Sequence, residues 1–130
     1  MGQICAALKY SKEHEWVEVL EEGKVRVGIT DFAQHQLGDI VFVELPQIGA
    51  EVEADESMGT VESVKAVSDI YSPVSGQVLE VNQLLEDSPE TINTDPYKAG
   101  WMAVITLNDP AQLDGLMTAE EYEVYVKEEE

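Results

Sequence analysis

The chain has 130 residues, 44% of them hydrophobic, and its 27 Asp and Glu against 7 Lys and Arg leave a formal net charge of −20. A chain of this length buries about two-thirds of its unfolded surface in one core without disulfides, and its ordinary apolar content excludes disorder as the source of the acidity. Clustered cations are absent, so nucleic acid and anionic membrane are excluded as partners; proteins with basic patches fit the field better, and no apolar run is long enough to span a bilayer.

Residues 1–10 have neither the basic start and apolar length of a signal peptide nor the arginines of a mitochondrial transit peptide. Met1-Gly2 opens like a myristoylation signal, but Ala6 stands where Ser or Thr is required. Cys5 is the one cysteine, so there is no disulfide framework, which fits a reducing compartment. The expected location is the cytoplasm, or the mitochondrial matrix where a transit peptide has been removed. One domain over residues 1–130 is expected, with a flexible segment at 1–8 and a fraying end at 128–130.

Residues 16–20 (WVEVL) read as a strand, residues 21–24 (EEGK) as a turn, and residues 25–29 (VRVGI) as the strand that pairs back. Thr30 or Asp31 caps a short helix over 32–37 that ends at Gly38, with Phe32 and Leu37 facing inward. Residues 40–45 (IVFVEL), closed by Pro46 and Gly49, predict a core strand buried on most of its length. Short strands follow from Val52, over 57–64, over 68–71 and over 76–81. Turn signals recur about every eight to twelve residues, which predicts an all-β sandwich or barrel and not a parallel sheet. Asp87-Ser88-Pro89-Glu90 starts a single helical turn, residues 101–107 form the last strong strand, and Asp109-Pro110 caps a short helix to Leu116. Thr118 to Glu121 is a capping box opening the final helix, where Tyr122, Tyr125 and Val126 share a packing face.

Between the strands at 57–64 and 68–71 lies Lys65, the only cation between Arg26 and Lys98. Its flanks Glu62 and Asp69 are acidic, and its neighbours Val64, Ala66 and Val67 are apolar. A lysine picked at random is most often a solubilising surface residue. At a tight turn between strands, however, it projects its amine away from the body as an attachment point on a flexible four-carbon stem.

No Gly-rich phosphate loop, Cys cluster or Ser nucleophile elbow occurs, so neither catalytic residues nor an enzyme activity is expected. His14 and His35 have no second ligand at helical spacing, so no metal site is expected, and both take surface or supporting roles. The many carboxylates read as a solvated charged face.

Several stretches belong together: residues 14–17 (HEWV), 27–31 (VGITD), 37–46 (LGDIVFVELP), 61–66 (VESVKA) continuing through Ser68-Asp69 to 72–76 (SPVSG), 80–82 (EVN), 95–97 (DPY) and Gly100-Trp101. Nearly end to end, this set resembles the glycine cleavage system H-protein family. The resemblance implies a mostly β fold, a flattened β-sandwich of the lipoyl/biotinyl-domain type (the barrel-sandwich hybrid), with short helices and a C-terminal helix. It implies lipoic acid in amide linkage to Lys65, with Glu62, Val64 and Ala66 framing the modified lysine.

In the family's cycle the arm accepts the aminomethyl group left when a pyridoxal-phosphate glycine decarboxylase, the P protein, acts on glycine. A tetrahydrofolate-dependent aminomethyltransferase, the T protein, takes the one-carbon unit. The flavin enzyme dihydrolipoamide dehydrogenase, the L protein, reoxidises the dithiol. A lipoyl transferase or lipoate ligase is the further partner implied, and the carrier itself is a non-catalytic monomer. The loaded arm is expected to rest against the protein at positions that include Glu15 and Asp69, where a carboxylate can pair with the cargo's ammonium. The chain departs from common patterns at Val67, where a smaller residue or Thr is frequent, and at Gln36, where some members carry a histidine.

Biotinyl domains place methionines on both sides of their lysine, and lipoyl domains of 2-oxoacid dehydrogenases place an Asp before it. Val64 and Ala66 match neither. An H-like lipoyl donor or relay protein is the alternative from a different functional class.

Overall fold

The computed structural model of the chain describes residues 8–129. Cys5 and all of the expected flexible segment except Leu8 fall outside the described residues, as does Glu130.

Alternating apolar residues set the strands. β1 (Lys9–Tyr10), β2 (Glu15–Val19) and β3 (Lys24–Ile29) run antiparallel, with Val17 opposite Val27 and Trp16 opposite Gly28. Gly28 is required there because a Cβ would sit 2.7 Å from the Trp16 ring, well inside van der Waals contact. Beyond them come β4 (Ile40–Glu44), β5 (Glu51–Val52), β6 (Ser57–Ser63), β7 (Val67–Tyr71), β8 (Gly76–Val81) and β9 (Ala103–Leu107). Two antiparallel sheets result, six strands in the order β1-β2-β3-β9-β8-β5 and three in the order β4-β6-β7. This is the expected mostly β sandwich, in two open sheets instead of one closed barrel.

One core lies between the sheets. Val27 and Ile29 from β3, Val43 from β4, Val61 from β6, Ile70 from β7, and Val78 and Ile105 from β8 and β9 are all at most 3% exposed and pack in one cluster. Burying each such side chain stabilises the fold by about 1.5–3 kcal/mol.

Short helices close the ends. In α1 (Asp31–Leu37) the Thr30 hydroxyl accepts from Ala33 N at 3.2 Å, and Gly38 stops the helix at φ +85°. Phe32 is buried as expected, but Gln34 is the second buried position and Leu37 only half-buried. α2 (Leu84–Asp87) has no counterpart in the sequence reading, because four residues carry too little periodicity to be read. α3 (Thr91–Thr94) follows the Ser88-Pro89 turn, and a 3-10 helix (Pro110–Gly115) is capped by Asp109. Trp101 stands just ahead of β9 and not within it.

α4 (Ala119–Glu129) starts at a reciprocal capping box: Glu121 N donates to the Thr118 hydroxyl at 3.2 Å, and Thr118 N to Glu121 Oε1 at 2.9 Å. Its buried Tyr122 stacks on Tyr10 with ring centroids 4.5 Å apart, and its hydroxyl meets that of Thr30 at 2.7 Å. The helix thereby seals a second, aromatic cluster of Tyr10, Trp16, Phe32, Tyr122 and Val126.

β4 corrects one expectation. Only Ile40 and Val43 are buried; Val41 and Phe42 are 54% and 51% exposed. A bulge falls between Ile40 and Phe42, and β4 is an edge of a three-stranded sheet whose outer face no other sheet covers among the described residues.

Candidate functional site

Lys65 lies in the turn joining β6 to β7, whose last paired residues are Glu62 and Val67. The turn closes with Ser63 N donating to Ala66 O at 2.8 Å. The Ser63 hydroxyl accepts from both Lys65 N and Ala66 N at 3.1 Å, so a side chain organises the backbone that carries the lysine. Val64 N donates to Asp39 O at 3.0 Å, tying the turn to the link between α1 and β4. Val64, Lys65 and Ala66 are exposed and Glu62 is half-buried. Glu62, Val64 and Ala66 thus flank Lys65 on the turn, and Ser63, which the sequence reading did not single out, braces its backbone.

The lysine side chain lies along Gly38. A Cβ at that position would stand 3.0 Å from Lys65 Cε and 3.7 Å from Nζ. Gly38 therefore satisfies two demands, the left-handed backbone that ends α1 and an unobstructed path for the side chain. Asn93 in α3 fixes this link: its Nδ2 donates to Gly38 O at 2.9 Å and Gln34 Oε1 at 2.8 Å, and its Oδ1 accepts from Ile40 N at 2.9 Å.

Next to Gly38 a cleft of about 260 Å³ opens between α1 (Phe32, Ala33, Gln36, Leu37), His14 and Glu15, and β7 (Ser68, Asp69, Ile70). Its apolar walls suit an alkyl chain, and the two carboxylates singled out from the sequence, Glu15 and Asp69, both line it. They differ sharply in setting. Asp69 is exposed, whereas Glu15 is 2% exposed, so Glu15 is no solvated carboxylate. Burial pushes its pKa from 4.5 up to about 7, opposed by hydrogen bonds from Ser11 and Tyr71 and assisted by Glu13 and Asp55. The Ser11 hydroxyl donates to Oε1 at 2.6 Å and Tyr71 N to Oε2 at 3.3 Å.

His14 is a wall of this cleft. Its Nδ1 meets the Tyr122 hydroxyl at 2.9 Å and its ring packs on Phe32 at 4.7 Å. His35 is exposed on α1 beside Asp31, 3.5 Å away. A larger cleft of about 580 Å³ beside Arg26, Tyr97 and Trp101 contains none of the residues around Lys65. Among the described residues no helix is long and apolar enough to cross a membrane.

Comparison with known proteins agrees in kind. The family model described as glycine cleavage H-protein matches residues 8–129. A glycine cleavage system H protein of Coprothermobacter proteolyticus is 60% identical over 126 residues, 97% of this chain and 99% of that protein. One of Halalkalibacterium halodurans is 58% identical over 129 residues, covering 99% and 100% of the two chains. The crystal structure of a glycine cleavage system H protein from Mycobacterium marinum superposes with a TM-score of 0.88 at 44% identity, covering 95% of this chain and 99% of that one.

Proposed function

Since the chain belongs to the glycine cleavage H-protein family, we propose that it carries lipoate in amide linkage on Lys65 and shuttles the aminomethyl group of glycine. It is a lipoyl carrier component of the glycine cleavage system and works with the enzymes of that system. The observation that supports the site is the placement of one exposed lysine on a braced turn, with its stem over Gly38, whose neighbour Leu37 lines the cleft.

The residues present suit the group. A long acyl chain on Lys65 needs an open path, which Gly38 leaves, and a groove for a partly apolar arm with a cationic end, which Phe32, Leu37, Glu15 and Asp69 provide. Lipoate supplies a reducible dithiolane that takes up the one-carbon cargo and is later restored. The protein holds, orients and shields. Lys65 tethers the arm and raises its effective concentration at each partner site. Phe32 and Leu37 keep water from the cargo. Glu15, held near neutral pH between its charged and uncharged forms, ionises against the cargo's ammonium and so recovers the cost of burying a charge. Asp69 attracts the same ammonium at the rim.

The partners are then the glycine decarboxylase, the aminomethyltransferase, dihydrolipoamide dehydrogenase, and a lipoyl transferase or lipoate ligase. The carrier is non-catalytic, a monomer, a single domain and cytoplasmic in this reading.

Intact mass of the protein from a lipoylating host tests it. One lipoyl group on Lys65 is expected, absent from Lys65→Arg, whose thermal midpoint matches wild type because the turn is exposed. A biotin increment or an unmodified Lys65 overturns the reading. Lipoylated protein that supports no glycine-dependent CO2 exchange while passing its lipoyl group to other proteins identifies a relay instead.

A further inference from the structure

Four large apolar side chains stand exposed around the attachment turn: Val41, Phe42, Val64 and Val67, at 54%, 51%, 68% and 66%. The register of the three-stranded sheet places Phe42 directly opposite Glu62, and Glu62 directly opposite Val67. One row of side chains therefore crosses the outer face of β4, β6 and β7 at interstrand steps of about 5 Å. The next row on that face is Glu44, Thr60 and Asp69. Val43, Val61 and Ile70 point the other way, into the core. The other large apolar side chains exposed among the described residues, Val19, Ile48, Leu84 and Val124, lie outside the β4-β6-β7 sheet.

Single exposed valines need no explanation, but an apolar cluster at a reactive lysine does. Packing does not hold Phe42 outward, since Thr or Lys would pair as well at an exposed edge position. The cluster is also charged in one sense only: Glu62 lies within it, Glu44 and Asp69 beside it, and the chain as a whole carries −20.

We infer that this outer face is the docking surface for the enzyme that acylates Lys65, whose complementary rim offers apolar side chains fringed by Lys or Arg. The inference rests on the reading of Lys65 as the lipoylated residue. Enzymes acting on the loaded carrier can recognise the arm itself. The acylating enzyme meets a bare lysine and has only the protein surface by which to choose it over Lys9, Lys12, Lys24, Lys98 and Lys127. The Phe42–Glu62–Val67 row adjoins Lys65 and is continuous with the turn that must enter the enzyme. In the transfer, the deprotonated amine attacks the carbonyl carbon of a lipoyl group activated as a mixed anhydride with a nucleotide phosphate. The C–N bond forms, the C–O bond breaks with its electron pair leaving on the phosphate oxygen, and the surplus amine proton passes to solvent.

The test uses full-length apoprotein made without lipoate, incubated with a lipoate–protein ligase, lipoate and ATP, with initial rates of Lys65 acylation read by intact mass. Phe42→Ser and Val67→Gln lower kcat/KM by about tenfold, mostly through KM. Their thermal midpoints stay at the wild-type value, and Val67→Gln, at an exposed edge-strand position, carries the test should Phe42→Ser fold poorly. Val19→Thr and Val124→Ser acylate at the wild-type rate. The wild-type KM rises with salt, and Glu44→Gln flattens that rise. Wild-type rates in both Phe42→Ser and Val67→Gln overturn the inference and leave the carrier reading standing. A dimer by sedimentation that Phe42→Ser dissolves assigns the face to a second copy and also overturns it. A wild-type protein never acylated on Lys65 overturns the carrier reading itself, so the two failures are told apart.

Discussion

Glu15 carries the most distinctive electrostatics of the molecule. Its pKa is about 7 in the folded chain against 4.5 for the free side chain, so between those values the folded protein keeps a proton that the unfolded chain has released. The stabilisation from the neutral carboxyl is complete below 4.5 and is lost as pH rises through about 7, on the order of 3 kcal/mol in all. Glutamine keeps an acceptor for Ser11 or Tyr71 N without the charge. Glu15→Gln should therefore melt near wild type at pH 5 and clearly above it at pH 8, as measured by calorimetry on the apoprotein. An equal gap at both values refutes this account of Glu15. In the loaded carrier the ordering reverses in function: Glu15→Gln, unable to pair with the ammonium, shortens the lifetime of the aminomethyl form. Asp69→Asn has the smaller effect, because an exposed carboxylate is screened by solvent and salt. An unchanged hydrolysis rate in Glu15→Gln removes this residue from the resting site.

α4 and β4 show why some elements are legible and others only half so. The Thr118–Glu121 capping box is a contact across three residues, so its sequence pattern is nearly its structure. Thr118→Ala should cost about 1 kcal/mol, seen as a lower urea midpoint at unchanged m-value; no shift in midpoint would mean that α4 is held by Tyr122 and Val126 alone. The run IVFVEL likewise identifies a strand, but its spelling is the same whether one face is covered or both. The exposure of Val41 and Phe42 follows from the β4 bulge and, among the described residues, the lack of a sheet outside β4-β6-β7. The Lys65 turn is intermediate. Its position was readable, whereas the bracing by Ser63 and Asp39 depends on how the backbone turns back on itself.

The net charge of −20 acts on the whole molecule. Like charges on a compact body repel, so the folded chain is stabilised when salt screens them. Raising NaCl from about 20 mM to about 300 mM should raise the thermal midpoint, and a midpoint that falls or stays level counts against self-repulsion. The same salt should slow association with basic partners, as followed by stopped-flow mixing of the lipoylated carrier with the decarboxylase.

By itself the sequence determined the strands other than β1, the caps, the turn bearing Lys65 and the acidic field, because each depends on residue type at spacings of two to four or on composition alone. The family resemblance, and not spacing, placed Glu15 and Asp69 as candidates. The tertiary structure decided their unequal characters, since desolvation depends on what packs around a group. Glu15 is buried by segments as distant as Tyr71, 56 residues along the chain, while Asp69 sits on an edge strand facing water. The same holds for the Gly38 path beneath Lys65, fixed by Asn93 from 55 residues away, and for the apolar face around Phe42. Packing between remote segments creates burial and exposure, and no local pattern encodes it.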